Sequence, residues 1–293
     1  MSAVSEPPVT VPAPPAVRTG PQTFLARARR SPTLVVGLAM TLLLLLSAVF
    51  APWLAPFDPS AQNLTGGLLP PSAEHLLGTD QLGRDVLSRI LFAGRTDLRI
   101  AFLAAIVPFV VGVLLGLVSG YFGGTLDYLI GRLVDTVIAF PFYVIVISIV
   151  FAVGTGEGGI YVAFALVGWV GYTRVVRATT KALRGSGWVA AARGGGLSHG
   201  RVILRHLLPN ILPQAVVLLM TEIILIMVAV VTLGYLGLGV QAPTPDWGTM
   251  IHDGQAFITT KWWLSALPGL AVIYTGISLS LVGDGLGDAW RVR

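Results

Sequence analysis

Six runs of roughly twenty apolar residues divide this chain, and they constrain its fold more than any other feature. They cover Leu34–Phe50 and approximately 98–119, 133–153, 160–178, 211–233 and 264–283. A helix rising 1.5 Å per residue needs about twenty apolar residues to cross a hydrocarbon layer of about 30 Å. Lipid offers no hydrogen bonds, so each crossing segment must satisfy its own backbone, and helices do this. The expectation is an all-α membrane protein with six transmembrane helices. Composition agrees: 54% of the 293 residues are hydrophobic and 11% are charged, against about 25% charged in soluble domains.

The first run, LVVGLAMTLLLLLSAVF, holds eleven Leu, Val and Phe residues, worth about −5 kcal/mol toward insertion. A cleaved signal peptide is the alternative, since the small residue Ala51 follows. Pro52 and Pro56 crowd that site, and further spans follow it, which favours a retained span. Before it, residues 1–23 are rich in Pro, Val, Ala and Ser with no hydrophobic period, as in a disordered tail.

The net charge of +5 does not make a nucleic-acid-binding domain, because the basic residues sit at span ends. With the N-terminus inside, fourteen Lys and Arg fall on the cytoplasmic side and five (Arg84, Arg89, Arg95, Arg99, Lys261) on the outer side. That bias satisfies the positive-inside rule and places both termini in the cytoplasm. The expected organisation is a tail over 1–23, an N-terminal segment with the first span and an outer loop over 24–96, a domain of further spans over 97–284 and a cytoplasmic C-terminal tail over 285–293. Within 24–96, Leu82, Val86, Leu87, Ile90 and Leu91 share a helical stripe. Leu77–Arg95 is therefore expected to be an amphipathic helix, either at the membrane surface or packed on its own spans. Segment 234–263 contains APTPDWG, which reads as turns.

A chain with several spans that moved a solute across the membrane would need an energy source. No G-x-x-x-x-G-K-[ST] loop is present, and the two lysines, Lys181 and Lys261, follow no phosphate-cradling glycines. The chain has no cysteine, which excludes thiol chemistry and Cys-bound metals. His75, His199, His206 and His252 are dispersed over predicted loops and form no clear metal-ligand set. No nucleophile–base pair stands out, so no enzyme, cofactor or metal is expected in this chain. Glu222 lies well inside the fifth span. An unpaired carboxylate at mid-bilayer costs on the order of 2.5–3.5 kcal/mol. Glu222 therefore faces either a translocation path or a hydrogen-bonding neighbour helix, and one acid is thin support for a proton relay.

Residues 179–210, TTKALRGSGWVAAARGGGLSHGRVILRHLLPN, are too long for a turn and too polar to span. Trp188 to Arg193 is helix-compatible, three glycines follow, and a basic run ends at Leu208-Pro209. Such a helix between two spans is either a handle for a soluble motor or part of an ordinary basic loop.

The segment resembles the "EAA" loop of bacterial ABC import permeases. Ala190 stands at the first position of that motif, Ala191 and Ala192 match it, Gly196 falls six places on, and Leu208-Pro209 follow at eighteen and nineteen. The sequence departs at Ala190, where the family has glutamate, and at Gly194-Gly195. The segments FAPWLAPFDPSAQNL, LGTDQLGRDVLSRILFAGR, GLVSGYFGG, RLVDTVIAFP and GYLGLGVQAPTPDWGTMI are similar to the "C" type permease subunit of the dipeptide/oligopeptide/nickel importer family. The likeness runs from about Phe24 to Arg291. Val230 stands where that family usually has an acid.

This resemblance implies a type I ABC importer (MetI-like) permease fold in the bacterial cytoplasmic membrane. It implies a second, homologous permease subunit, two P-loop ATPase subunits that hold ATP and Mg, and an extracytoplasmic substrate-binding protein. It assigns Trp188, Ala190, Ala191, Ala192, Arg193, Gly196, Leu208 and Pro209 to a coupling loop that docks on the ATPase. Peptides are the expected substrate, with nickel, glutathione and glycosides as alternatives within the family. A proton-coupled secondary transporter acting alone, or an adaptor without transport activity, are the readings outside it.

Overall fold

The computed structural model describes Ala28 and residues 31–290; the Pro-rich segment 1–23 lies outside the described residues. Ser31 starts helix α1 (Pro32–Val49) by accepting the Leu34 N–H at 3.3 Å, with proline in the first turn, where its missing N–H costs nothing. A short α2 (Ala51–Leu54) follows, then a stretch to residue 85 that is irregular apart from a 3-10 turn over Leu64–Gly66.

Helix α3 (Val86–Phe122) is capped by Asp85, which accepts the Ser88 N–H at 2.8 Å. Its 37 residues span about 55 Å, well beyond a hydrocarbon core. The amphipathic helix expected over Leu77–Arg95 is therefore not a separate element. Residues 77–85 are a loop, and 86–95 are the first turns of α3. Gly78 and Gly83 take φ of 77° and 71°, and the Asp80 carboxylate accepts the N–H groups of Leu82 and Arg84. Such side-chain bonds offer the backbone an alternative to the helix. The domain boundary expected at 96/97 falls inside this continuous helix.

Gly123, at φ 69°, alone separates α3 from α4 (Gly124–Ile138). The third hydrophobic run is bent rather than straight: α4 and α5 (Phe142–Val153) meet at 87°. Pro141 lacks an N–H and disfavours helix at the residue before it, which places the elbow at 139–141. Helices α6 (Glu157–Val167) and α7 (Trp169–Arg184) form one crossing segment with a joint at Gly168. After Gly185 and Ser186 come α8 (Gly187–Gly194), α9 (His199–Val202), a π-turn over Ile203–Leu207 and α10 (Leu208–Tyr235). Segment 236–246 is irregular as expected, but Trp247–Gln255 is helical (α11). The last helix, α12, runs Trp263–Trp290. Residues 285–290, expected to belong to a C-terminal tail, are its final turns. Among the described residues five helices are long and apolar enough to cross a membrane, or six with the bent α4–α5 pair counted as one span.

Backbones approach closely at glycine. On α3, Gly112, Gly116 and Gly120 form one stripe against α7. A Cβ there would lie 2.5 Å from Tyr172 Cβ, 2.7 Å from Val176 Cβ and 2.7 Å from the Arg177 carbonyl oxygen. Lipid is as apolar as leucine, so such van der Waals fit drives helix pairing in membranes. Helices α1 and α12 pair likewise, Gly37 against Leu281 and Val282, and Gly285 against Leu34. One large apolar cluster centres on Phe164, Met227, Leu233 and Trp247. A second, at the other end of the bundle, contains Val113, Leu117, Tyr121, Val176, Val189, Val202, Leu207 and Ile211. Leu42, Leu43, Leu129, Leu133, Val144 and Phe151 are exposed, as suits faces turned to lipid or to another membrane chain.

Candidate functional site

Helix α8 is short and two-faced. Val189 is buried and Ala192 half-buried, both in the apolar cluster at the end of the bundle, while Trp188, Ala190, Ala191 and Arg193 are exposed. Positions 189 and 192 are one turn apart and share a face. One face thus seats the helix, and the other is left open.

The stop is built by Gly196. Its N–H donates to the Arg193 carbonyl at 3.0 Å, and the Leu197 N–H donates to the Ala192 carbonyl at 3.2 Å. These are the two bonds of a Schellman cap, whose left-handed residue is Gly196 at φ 84°. Leu197 and Ala192 pack on the same apolar cluster, as this cap commonly requires. The glycine six places after the first position of the motif is thus a chain-reversal residue. Gly194 and Gly195 have ordinary φ, and Gly194 has no neighbour a side chain would meet. Leu208 and Pro209 begin α10, proline again in the first turn. They lie along the chain from α8 and do not build its exposed face.

Arg193 folds back on the loop: Nη1 donates to the Leu197 carbonyl at 2.5 Å, and Nη2 meets His199 Nε2 at 3.1 Å. His199 Nδ1 in turn lies 2.8 Å from the Tyr121 hydroxyl at the end of α3. Arg184 of α7 donates to the Tyr121 carbonyl at 3.0 Å. A Lys181–Asp127–Arg177 ion-pair group ties α7 to α4 on the same side. Tyr121 and His199 were not singled out from the sequence, since they stand 78 residues apart. The spacing of Val189 and Ala192 was the readable signal for the seat.

Glu222 is placed far from this segment, half-buried on α10 with its Oε1 against Gly171 of α7, where a Cβ would come within 2.7 Å. The neighbouring Tyr172 hydroxyl is buried with no hydrogen-bond partner among the described residues.

On the opposite end, a polar web holds the 55–90 segment to the bundle. Arg84 Nε donates to Asp80 Oδ2 at 2.6 Å, Arg89 Nε lies 3.5 Å from the same oxygen, and Arg84 Nη2 lies 3.6 Å from Asp253. Asp246 caps α11 through Thr249; burial pushes its carboxyl above the usual range, and the bonds from Thr249 partly offset this.

Fold and segment together define a polytopic α-helical membrane protein with an exposed helix on a loop between two spans. Comparison with known families makes this specific. Residues 112–291 match the family described as binding-protein-dependent transport system inner membrane component, and residues 22–71 match the N-terminal TM domain of oligopeptide transport permease C. The chain belongs to the binding-protein-dependent transport permeases, in their peptide-type ABC importer group. It is 36% identical over 258 residues to a probable D,D-dipeptide transport system permease protein of Escherichia coli, covering 88% of this chain and 87% of the relative. It is 38% identical over 259 residues to a di/tripeptide transport system permease protein of Pseudomonas aeruginosa, covering 86% of each. A dipeptide transport system permease protein of Bacillus subtilis is 35% identical over 264 residues, covering 90% of this chain and 82% of the relative. The chain is thus a transport permease subunit and not an ATPase.

Proposed function

We propose that this chain forms one half of the translocation path of a peptide importer and receives the motor's movement through α8. Val189 and Ala192 tie α8 to the bundle while Trp188, Ala190 and Ala191 stay open, and this one-sided seating carries the reading. A helix seated in this way transmits a push as a rigid-body shift of the spans behind it, as in domain-closure switches. The partners on this reading are a homologous second permease, two P-loop ATPases holding ATP and Mg, and an extracytoplasmic substrate-binding protein. Both termini and α8 face the cytoplasm, in keeping with the distribution of Lys and Arg. The domain limits 1–23, 24–96, 97–284 and 285–293 are kept as functional divisions only, since helices cross two of them. The peptide assignment leans on the transport described for the relatives.

The chain has no cysteine, so an Ala191→Cys variant carries a single thiol. In native membranes that thiol is expected to cross-link to an ATPase subunit, and mild-detergent capture of the tagged chain is expected to recover a second permease. Recovery of the folded chain alone, with no cross-link, would support a transporter that works unaided.

A further inference from the structure

The exposed faces of the long helices differ in chemistry. Every exposed residue over 35–49 of α1 and over 101–119 of α3 is Ala, Val, Leu or Ile, a surface that lipid accepts. Helix α10 is different. Gln214, Thr221, Leu225, Val228 and Thr232 recur at helical spacing and form one stripe; Thr232 is half-buried and the other four are exposed. Thr221 stands midway along α10 (Leu208–Tyr235), beside Glu222. Nothing among the described residues hydrogen-bonds the Thr221 hydroxyl.

Helix α7 continues this polar face. Thr179 donates to Gln214 Oε1 at 2.9 Å, and Gly171 abuts Glu222. Arg174, one turn from Gly171 on the same side of α7, is exposed. It stands about 15 Å along the axis from Arg184, the last residue of α7. No carboxylate pairs with it among the described residues. Ionisable side chains at such depth face the interior of a bundle or a water-filled cavity, not lipid.

We infer that Gln214, Thr221 and Thr232 of α10, with Arg174 of α7, form this chain's wall of the translocation path and touch the passing substrate. Amide and hydroxyl groups both give and accept hydrogen bonds, as the N–H and C=O groups of a peptide need once its water is stripped. Guanidinium matches a carboxylate, such as the one that ends a peptide. The aliphatic faces of α1 and α3 are left for lipid. The wall's role rests on the reading of this chain as half of an importer; that the face is wet does not.

The chain has no cysteine, so Thr221→Cys, Leu42→Cys and Leu114→Cys each carry a single thiol, the last two on exposed positions of α1 and α3. The assembled transporter, in membrane fragments open on both sides, is treated with a charged methanethiosulfonate, and modification is read on the tagged chain. The reagent attacks the thiolate, which needs water around it. Thr221→Cys is expected to react about tenfold faster than the other two, the change in thiolate fraction when desolvation raises a thiol's pKa by one. Once modified and reconstituted in proteoliposomes, it is expected to have lost uptake. Equal rates at the three positions, or full uptake after modification, would overturn the wall. A thiol at 221 that reacts in the purified chain but not in the assembled transporter would also overturn it, since a second permease then covers the face. Fast reaction in a chain captured without ATPase or second permease would remove the importer reading and leave the wet face standing.

Discussion

The backbone N–H of Trp247 donates to the buried carboxylate of Asp97 at 2.9 Å, joining α11 to α3 across 150 residues of chain. The indole of Trp247 completes the joint, its Nε1–H donating to the Ile90 carbonyl at 3.1 Å, and the ring lies over Gly94. Removing the acceptor would leave a buried N–H unpaired, at a cost of about 1–3 kcal/mol. Asp97→Ala is expected to lower the thermal unfolding midpoint of the purified protein. Asp97→Asn keeps an acceptor oxygen and should stay close to the parent. Equal losses in the two variants would show that the joint is held by packing alone.

The glycine stripe of α3 makes a second prediction about the bundle. At Gly116 a Cβ would meet both Val176 Cβ and the Arg177 backbone nitrogen at 2.7 and 2.9 Å, so α3 and α7 would have to part. Gly116→Ile is expected to abolish stable expression in the membrane. Gly269→Ile, at a glycine with no such neighbour, should be tolerated. Size-exclusion profiles of the two solubilised variants distinguish the outcomes.

Much of this architecture was readable, and the failures have physical causes. Crossing segments stand out because twenty apolar residues have few other stable destinations. Gly112, Gly116 and Gly120 stand four apart in the sequence, but nothing local points to α7 as their partner, and the close packing there emerges only in the fold. The elbow at Pro141 was masked because mean apolarity over 133–153 does not register a single missing N–H. The loop at 77–85 was misread because the stripe of Leu82, Val86 and Ile90 is real, while the positive φ at Gly78 and Gly83 and the Asp80 side-chain bonds belong to tertiary context. Helix α8 was legible from Trp188 to Arg193. Its attachment through Tyr121 was not, since no local pattern links residues so far apart.

Ala190 stands on the open face of α8, one turn in from Ser186. A carboxylate near a helix N-terminus gains about 0.3–1 kcal/mol from the helix dipole, so Ala190→Glu should not weaken the helix itself. Its association with ATPase subunits, measured by cross-linking yield, is expected to hold or rise. A fall would place the docking surface elsewhere.

Glu222 lies against Gly171 and makes no hydrogen bond or ion pair with the described residues. Glutamine keeps its shape and removes the charge. Glu222→Gln is expected to leave uptake within about twofold of the parent, a change under about 0.5 kcal/mol. A loss of tenfold or more in transport assays, with normal protein levels, would mean that a charged carboxylate at this position takes part in transport.

The three consecutive glycines after Arg193 should respond in opposite directions, because only one of them is in a left-handed conformation. Gly196 closes the Schellman cap at φ 84°, where a Cβ costs about 1–2 kcal/mol. Nothing touches Gly194 at the end of α8, and alanine gains up to about 1 kcal/mol over glycine in a helix. Gly196→Ala is therefore expected to speed amide hydrogen exchange over 187–197 by about tenfold, while Gly194→Ala slows it. Substrate-stimulated ATP hydrolysis by the assembled transporter should follow the same order, falling in the first variant and holding in the second. If both variants exchanged faster, the extra glycines would be there for flexibility, and α8 would act as a loose tether instead of a rigid lever.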